Sequence, residues 1–242
     1  MRIRIPIPPL CLLVLLCLAN ASGRAQLYFK ARTITVENGL SDKRVTCFYK
    51  DSKGFMWIGT RNGLNRYDGH SFRVFRPTDG NSISNEVIND IAEDRNGRIW
   101  VATMEGLNYY DPVTNRWGVM VPDPDIRGAS VPNYIIWDIW FDKKGLLWIA
   151  SDVFEFCSYD LKKKKFTYYR WPAWAREHLN NLDAKATGRY NSIHKLIARD
   201  EHHFWLGTTK GLVELDIRTD SFRFIGGGYY ADVIDLAYDS VN

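Results

Sequence analysis

Cysteine, histidine and long apolar runs are all scarce in this chain, and each scarcity excludes a class of protein. Only four of the 242 residues are Cys. Two of them, Cys11 and Cys17, lie in the N-terminal segment, which leaves Cys47 and Cys157 in strand-like stretches far apart in sequence. Neither has the spacing of a metal site or a redox pair, so both are expected to be buried thiols acting as small hydrophobes. There are five His. His202 and His203 are adjacent but have no His or Cys at ligand spacing, so an exposed turn is expected rather than a metal site. The longest apolar run, Leu10 to Ala19, is too short to cross a bilayer as a helix, and nothing after residue 21 resembles a membrane span. No segment sustains a 3.6-residue period with caps. There is no nucleotide motif, no phosphoacceptor-histidine helix, no Ser-His-Asp order and no distinctive pair of acids. No basic stretch alternates with aromatics, so nucleic acid is not an expected partner. No cofactor and no metal are expected.

The N-terminus has the order of a secretion signal: Arg2 and Arg4, then the apolar run, then the small-x-small sequence Ala19-Asn20-Ala21. Cleavage after Ala21 is expected, with Ala25 as the alternative. Leu15 and Leu16 are too bulky for a lipidation site at Cys17. Removal of the signal takes Arg2 and Arg4 with it and lowers the net charge from +4 to +2. The chain is therefore read as exported to the periplasm. Lys162 to Lys165, the one charge run, lies between strand-like segments and reads as a solvated hairpin tip.

What the chain does have is repetition. Asp51 to Asp68 (DSKGFMWIGTRNGLNRYD), Asp94 to Asp111 (DRNGRIWVATMEGLNYYD), Asp142 to Asp160 (DKKGLLWIASDVFEFCSYD) and Asp200 to Asp216 (DEHHFWLGTTKGLVELD) align with one another. Their tryptophans are Trp57, Trp100, Trp148 and Trp205. Each unit reads as four strands. In the first, Val45 to Tyr49, Phe55 to Thr60, Leu64 to Tyr67 and Phe72 to Phe75 are rich in β-branched and aromatic residues and separated by Asp/Asn/Gly turns. A lone four-stranded sheet cannot bury both faces, but sheets stacked around an axis cover one another. The expectation is an all-β, open and incomplete β-propeller of four-stranded antiparallel blades. Residues 1–21 are the signal, 22–39 a lead-in with a lone outer strand (Tyr28 to Val36), and 40–242 a partial propeller. Its blades fall near 40–76, 84–120, 133–170 and 190–225, with the first strand of a fifth at 231–242, so the chain is expected to stop before the ring closes. Each repeated Trp is expected to fill the gap between blades. Gly59 and Gly207, with Ala102 and Ala150 in register, are expected where backbones pack closely. The repeated turn aspartates Asp51, Asp94, Asp142 and Asp200 are expected to be structural.

The run D-x-x-G-x-x-W-I-G-T-x-x-G-L-x-x-Y-D resembles the two-component regulator propeller repeat, and the similarity covers about Leu40 to Phe224, preceded by the lead-in ENGLSDKRV from Glu37. Two departures stand out. The third copy has Val153-Phe154-Glu155-Phe156 in place of Gly-Leu, and the fourth is one residue short with His203 near the turn glycine. The resemblance implies the N-terminal periplasmic part of a sensor histidine kinase of the hybrid two-component kind. Its ligand would be an oligosaccharide. Membrane contact would come only through C-terminal parts that this sequence lacks, and the intact protein would be a homodimer. The chain itself is expected to be no enzyme. A passive interaction scaffold or a truncated remnant is the alternative. A propeller enzyme would need clustered acids, histidines or a calcium site, which the sequence does not offer.

Residues fixed by the repeat cannot also vary with the ligand, so a binding site is expected in what does not repeat. The longest such stretch is the connection from Arg170 to Tyr190. Trp171, Trp174, Arg176, Arg189 and Tyr190 supply aromatic faces and directional donors there, which suits a sugar. Asn133 and Tyr134, before the first strand of the third unit, are the further candidates.

Overall fold

Among the described residues, sixteen strands form four sheets of four, each a simple antiparallel meander in sequence order. The coordinates are a computed structural model, which describes residues 33–120, 135–152, 156–169, 192–225 and 232–237. All strands belong to the unit that begins at Ile34. Blade one contains β1 (Val45–Lys50), β2 (Met56–Thr60), β3 (Leu64–Tyr67) and β4 (Phe72–Phe75). Blade two contains β5 (Ile88–Glu93), β6 (Ile99–Thr103), β7 (Gly106–Asp111) and β8 (Arg116–Met120). Blade three contains β9 (Ile136–Phe141), β10 (Leu146–Ser151), β11 (Phe156–Asp160) and β12 (Lys165–Tyr169). Blade four contains β13 (Ile193–Ala198), β14 (His203–Thr208), β15 (Gly211–Asp216) and β16 (Ser221–Ile225). The strands read from sequence in the first repeat agree with β1 to β4, and among the described residues the sheets do not close into a ring.

The turn from the first to the second strand of each blade explains the repeated Asp. Asp51 Oδ1 accepts from the backbone N–H groups of Lys53 and Phe55, and its Oδ2 accepts from Trp57 Nε1 at 2.8 Å. Asp94 holds Trp100 in the same way, and Asp142 holds Trp148, each at 3.2 Å. One carboxylate thus closes a turn and aims a tryptophan. On the opposite edge of the sheets a buried threonine closes the next turn. Thr60, Thr103 and Thr208 each donate to a glycine carbonyl three residues on, at 2.8 Å.

The core lies between blades. Trp57 is stacked on Phe75 and sits beside Tyr110 and Trp117 of blade two. Trp100 meets Phe141 and Tyr159 of blade three, and Trp148 lies 4.4 Å from Phe204 of blade four. All three are buried. A Cβ on Gly59 would come within 2.5 Å of Cys47 Sγ and 2.8 Å of Ile88 in blade two, and one on Gly207 would meet Val233 at 2.9 Å. The small residue is therefore required by inter-blade contact. Cys157 is buried in the core between blades two and three, and Cys47 is partly buried.

Four expectations need correction. Trp205 is only partly buried and makes no bond to its turn aspartate, because the turn is one residue short. The His203 carbonyl accepts from Arg199 N at 2.8 Å and, at 3.4 Å, from Asp200 N. Asp200 is left one position out of line, and it accepts from His203 Nδ1 instead. Second, His202 and His203 are not an exposed turn but are partly buried. His203 is wedged between Asp200 and Asp216. Third, residues 33–36 form no strand. Val36–Asn38 is a single 3-10 turn with Thr35 N donating to Asn38 Oδ1 and Gly39 at φ +105°. The rest of the expected outer strand lies outside the described residues. Fourth, residues 232–237 pair in no ladder, although Val233 N donates to Thr208 O at 3.0 Å and Val233 packs on Gly207.

The first strands, β1, β5, β9 and β13, are the innermost and pack side by side. Each contains a β-bulge at its second residue. The register skips Thr46, Asn89, Trp137 and His194 in turn. A bulge leaves one residue outside the ladder and redirects its side chain.

A candidate site at the mouth of the inner strands

The bulged residues converge with two of the turns on the edge of the sheets that carries the blade-to-blade connections. Trp137 Nε1 donates to Asp152 Oδ1 at 2.6 Å, and Ser192 Oγ donates to the same oxygen at 2.5 Å. Asp152 and Ser192, both buried, also form an isolated antiparallel bridge between blades three and four. The His194 ring meets the Trp137 indole edge-on at 5.0 Å. His194 Nε2 is buried, makes no hydrogen bond and lies 3.4 Å from Asp232 Oδ1. Asn89 Nδ2 donates to Ile136 O, which ties blade two to blade three at the same level.

One residue further along each inner strand lies a charged layer. The third positions are Cys47, Asp90, Asp138 and Lys195, and Asp235 occupies the matching place in residues 232–237. Asp90 Oδ2 accepts from Ile139 N at 3.1 Å, and Asp138 Oδ2 accepts from Leu196 N at 2.9 Å. Each carboxylate thus binds the backbone of the following blade. Lys195 Nζ lies 2.5 Å from Asp138 Oδ1. Burial, followed by the charge of Asp90, pushes the Asp138 carboxyl well above the usual range. Burial also raises Asp90, with Lys195 and the Ile139 N–H opposing. Burial pulls Lys195 down, but the two carboxylates outweigh it and hold the ammonium above its ordinary value. Burial and then Asp90 push the Cys47 thiol up to about 12, so it is no nucleophile. We read the layer as an inter-blade tie and the rim above it as the candidate site. Partly exposed Trp137 and His194 rings stand there beside the carboxylate of Asp232. The rings can face the apolar side of a sugar, and the Asp232 carboxylate can accept from its hydroxyls. The Ser192 proton is directed at the Asp152 carboxylate, which is already held by an indole N–H. This is a positioning network and no activated nucleophile.

The residues singled out from sequence, Trp171, Trp174, Arg176, Arg189, Tyr190, Asn133 and Tyr134, all lie outside the described residues. The connections that carry them enter the described structure at Ile135 and Ser192, and both ends meet Asp152. Its N–H donates to Ile135 O at 3.3 Å, and its side chain accepts from Ser192. Sequence reasoning missed Asp90, Asp138, Lys195, Asp152 and His194. The signal was available, since aligning the first strands as VTCFYK, INDIAE, IWDIWF and IHKLIA exposes an ionisable column inside otherwise apolar strands.

Two stretches, residues 39–62 and 82–105, match the profile of the family described as two component regulator propeller. Histidine kinase P4 of Formosa agariphila is 41% identical over 56 residues, which are 22% of this chain and 4% of that protein. The extracellular domain of a hybrid two component system from B. thetaiotaomicron superposes with a TM-score of 0.69 at 22% identity, over 82% of this chain and 27% of that one. A second such domain from the same organism gives 0.47 at 19% identity, over 77% and 30%. The 0.69 superposition shows the propeller fold. This chain spans about a quarter of the length of that domain and a small fraction of the kinase.

Proposed function

We infer that this chain, which carries repeats of the two component regulator propeller, is the ligand-reading extracytoplasmic part of a two-component sensor and catalyses no reaction itself. Its N-terminal residues direct export to the periplasm, and its ligand is an oligosaccharide held at the mouth of the inner strands. The observation that carries the reading is the rim itself. Bulged Trp137 and His194 stand on a non-nucleophilic network around Asp152, which Ile135 and Ser192 also meet. Partly exposed rings with nearby donors and acceptors suit a polyhydroxylated ring better than a reacting carbonyl. Trp171, Trp174, Arg176, Arg189, Tyr190, Asn133 and Tyr134 are the proposed contacts from those connections.

Calorimetry of the purified chain against neutral plant and host oligosaccharides tests this. One fragment is expected to bind. The His194→Ala variant and the Trp171→Ala, Trp174→Ala double variant are each expected to weaken it at least tenfold with unchanged melting temperature. Unaltered binding in both variants would move the site elsewhere, and no binding by any fragment would favour a passive scaffold.

A further inference from the structure

The edge of the sheets opposite the connections carries a separate feature. Three turns from two blades enclose a cleft of about 510 Å³, with Arg95 from the β5–β6 turn, Lys144 from the β9–β10 turn, and Lys162 and Lys163 from the β11–β12 turn. Phe141 and two leucines supply its apolar lining. Four cations therefore share one concavity with two carboxylates, Asp94 and Asp160, and both carboxylates are already engaged. Asp94 accepts from the N–H groups of Asn96 and Arg98 and from Trp100 Nε1. Asp160 accepts from the N–H groups of Lys162 and Lys163, which hold its carboxyl below the usual range. Lys163 reaches Asp160 at 3.4 Å, and Lys144 reaches Glu201 of blade four at 2.8 Å, in solvent-exposed pairs that hold the lysines only weakly. Arg95 and Lys162 have no carboxylate partner among the described residues. Gly145, at φ +87°, lies in this seam, and a Cβ there would rest in ordinary contact with Arg95 Nε at 3.6 Å.

We propose that this cleft is a binding site for an anionic oligosaccharide, one that presents carboxylate or sulfate groups on saccharide rings. The volume falls within the range of small-molecule sites, roughly 300–1,000 Å³. An arginine fork matches a planar carboxylate or a sulfate edge through two parallel bonds. Lysines from a second turn neutralise a neighbouring charge, and the Phe141 face takes the C–H side of a ring. The cations converge from different elements onto a concave, partly apolar floor. A flat lipid surface would meet only the protruding hairpin tip, so a ring that enters the cleft is the better occupant. The site is distinct from the rim at the other edge and does not depend on it.

The test uses tetragalacturonate and its neutral methyl ester, a sulfated glycosaminoglycan hexasaccharide, and vesicles containing anionic phospholipid. At least one of the two acidic oligosaccharides is expected to bind, weakening as NaCl rises from 50 to 300 mM, while the ester does not bind. The Arg95→Ser, Lys162→Ser variant is expected to lose at least tenfold in affinity. The Lys43→Ser, Lys50→Ser variant, equal in net charge but altered on blade one, keeps parental affinity. All four residues are exposed, so both variants fold. Failure of both acidic ligands to bind, equal losses in the two variants, or binding to vesicles without binding to either oligosaccharide would each overturn the proposal.

Discussion

Trp57, Trp100 and Trp148 share one environment, and Trp205 shows what that environment contributes. Trp100 is buried against two aromatics of the next blade and held by Asp94. Trp100→Ala removes a packed core side chain and is expected to destabilise by about 3–5 kcal/mol, read from the urea midpoint. Trp205→Ala removes a ring that is only partly buried and not held by its turn aspartate, so its cost should be less than half as large. The charged layer makes a prediction with a definite sign. Asp138 faces Asp90, Lys195 and the Leu196 N–H, with Asp235 and Cys47 in the same layer. Its folded carboxyl is raised well above an unfolded value of about 3.9. Between those two values the native state holds a proton that the unfolded chain has lost. Stability from this group is therefore full below about pH 4 and declines as pH rises towards the folded value. Asp138→Asn cannot titrate, so its destabilisation should be largest at about pH 4 and shrink steadily towards pH 8. Denaturant midpoints of the two proteins across that range check it, and a cost that grows with pH would show that Asp138 is charged in the native state.

At the level of strands and turns, packing between blades is as strict as packing within them. Gly59→Ala would force a Cβ against Cys47 Sγ and Ile88, and overpacking of this kind costs about 1–3 kcal/mol. The Cys47→Ala change in the same chain should recover part of that loss, because the thiol is the nearest obstacle and the two sites are coupled. Thermal melts of the two single variants and the double variant measure it. The elements were largely legible in the sequence because each carries a local cause. Asp51 and Gly54 make a turn, β-branched residues make a strand, and four aligned copies fix the period. Residues in the site were not legible for the opposite reason. Asp90 and Asp138 bind backbone 49 and 58 residues away in sequence, and nothing in INDIAE or IWDIWF alone says that its acid faces the next blade's backbone. Trp205 was misread because a one-residue deletion leaves the strand pattern intact while moving the aspartate out of reach.

For the molecule as a whole, stacking explains why equivalent residues have unequal roles. Phe48 and Ile91 occupy the same repeat position, yet Phe48 is 75% exposed while Ile91 is 4% exposed in the core between blades one and two. Ile91→Ala is expected to cost about 2–4 kcal/mol. Phe48→Ala, despite the larger side chain removed, should stay within about 0.5 kcal/mol of the parent, as for a surface change. Urea unfolding of the pair decides whether position in the stack or position in the repeat sets the cost. The bulges have a consequence of another kind. Thr46, Asn89, Trp137 and His194 stand at one point of the repeat and share neither size nor polarity, while the apolar residue before each and the ladder after each are kept. A residue outside the ladder can be exchanged without shifting register. A descendant gene can therefore rewrite what the mouth of the inner strands displays one codon at a time, and the scaffold beneath it inherits none of the change.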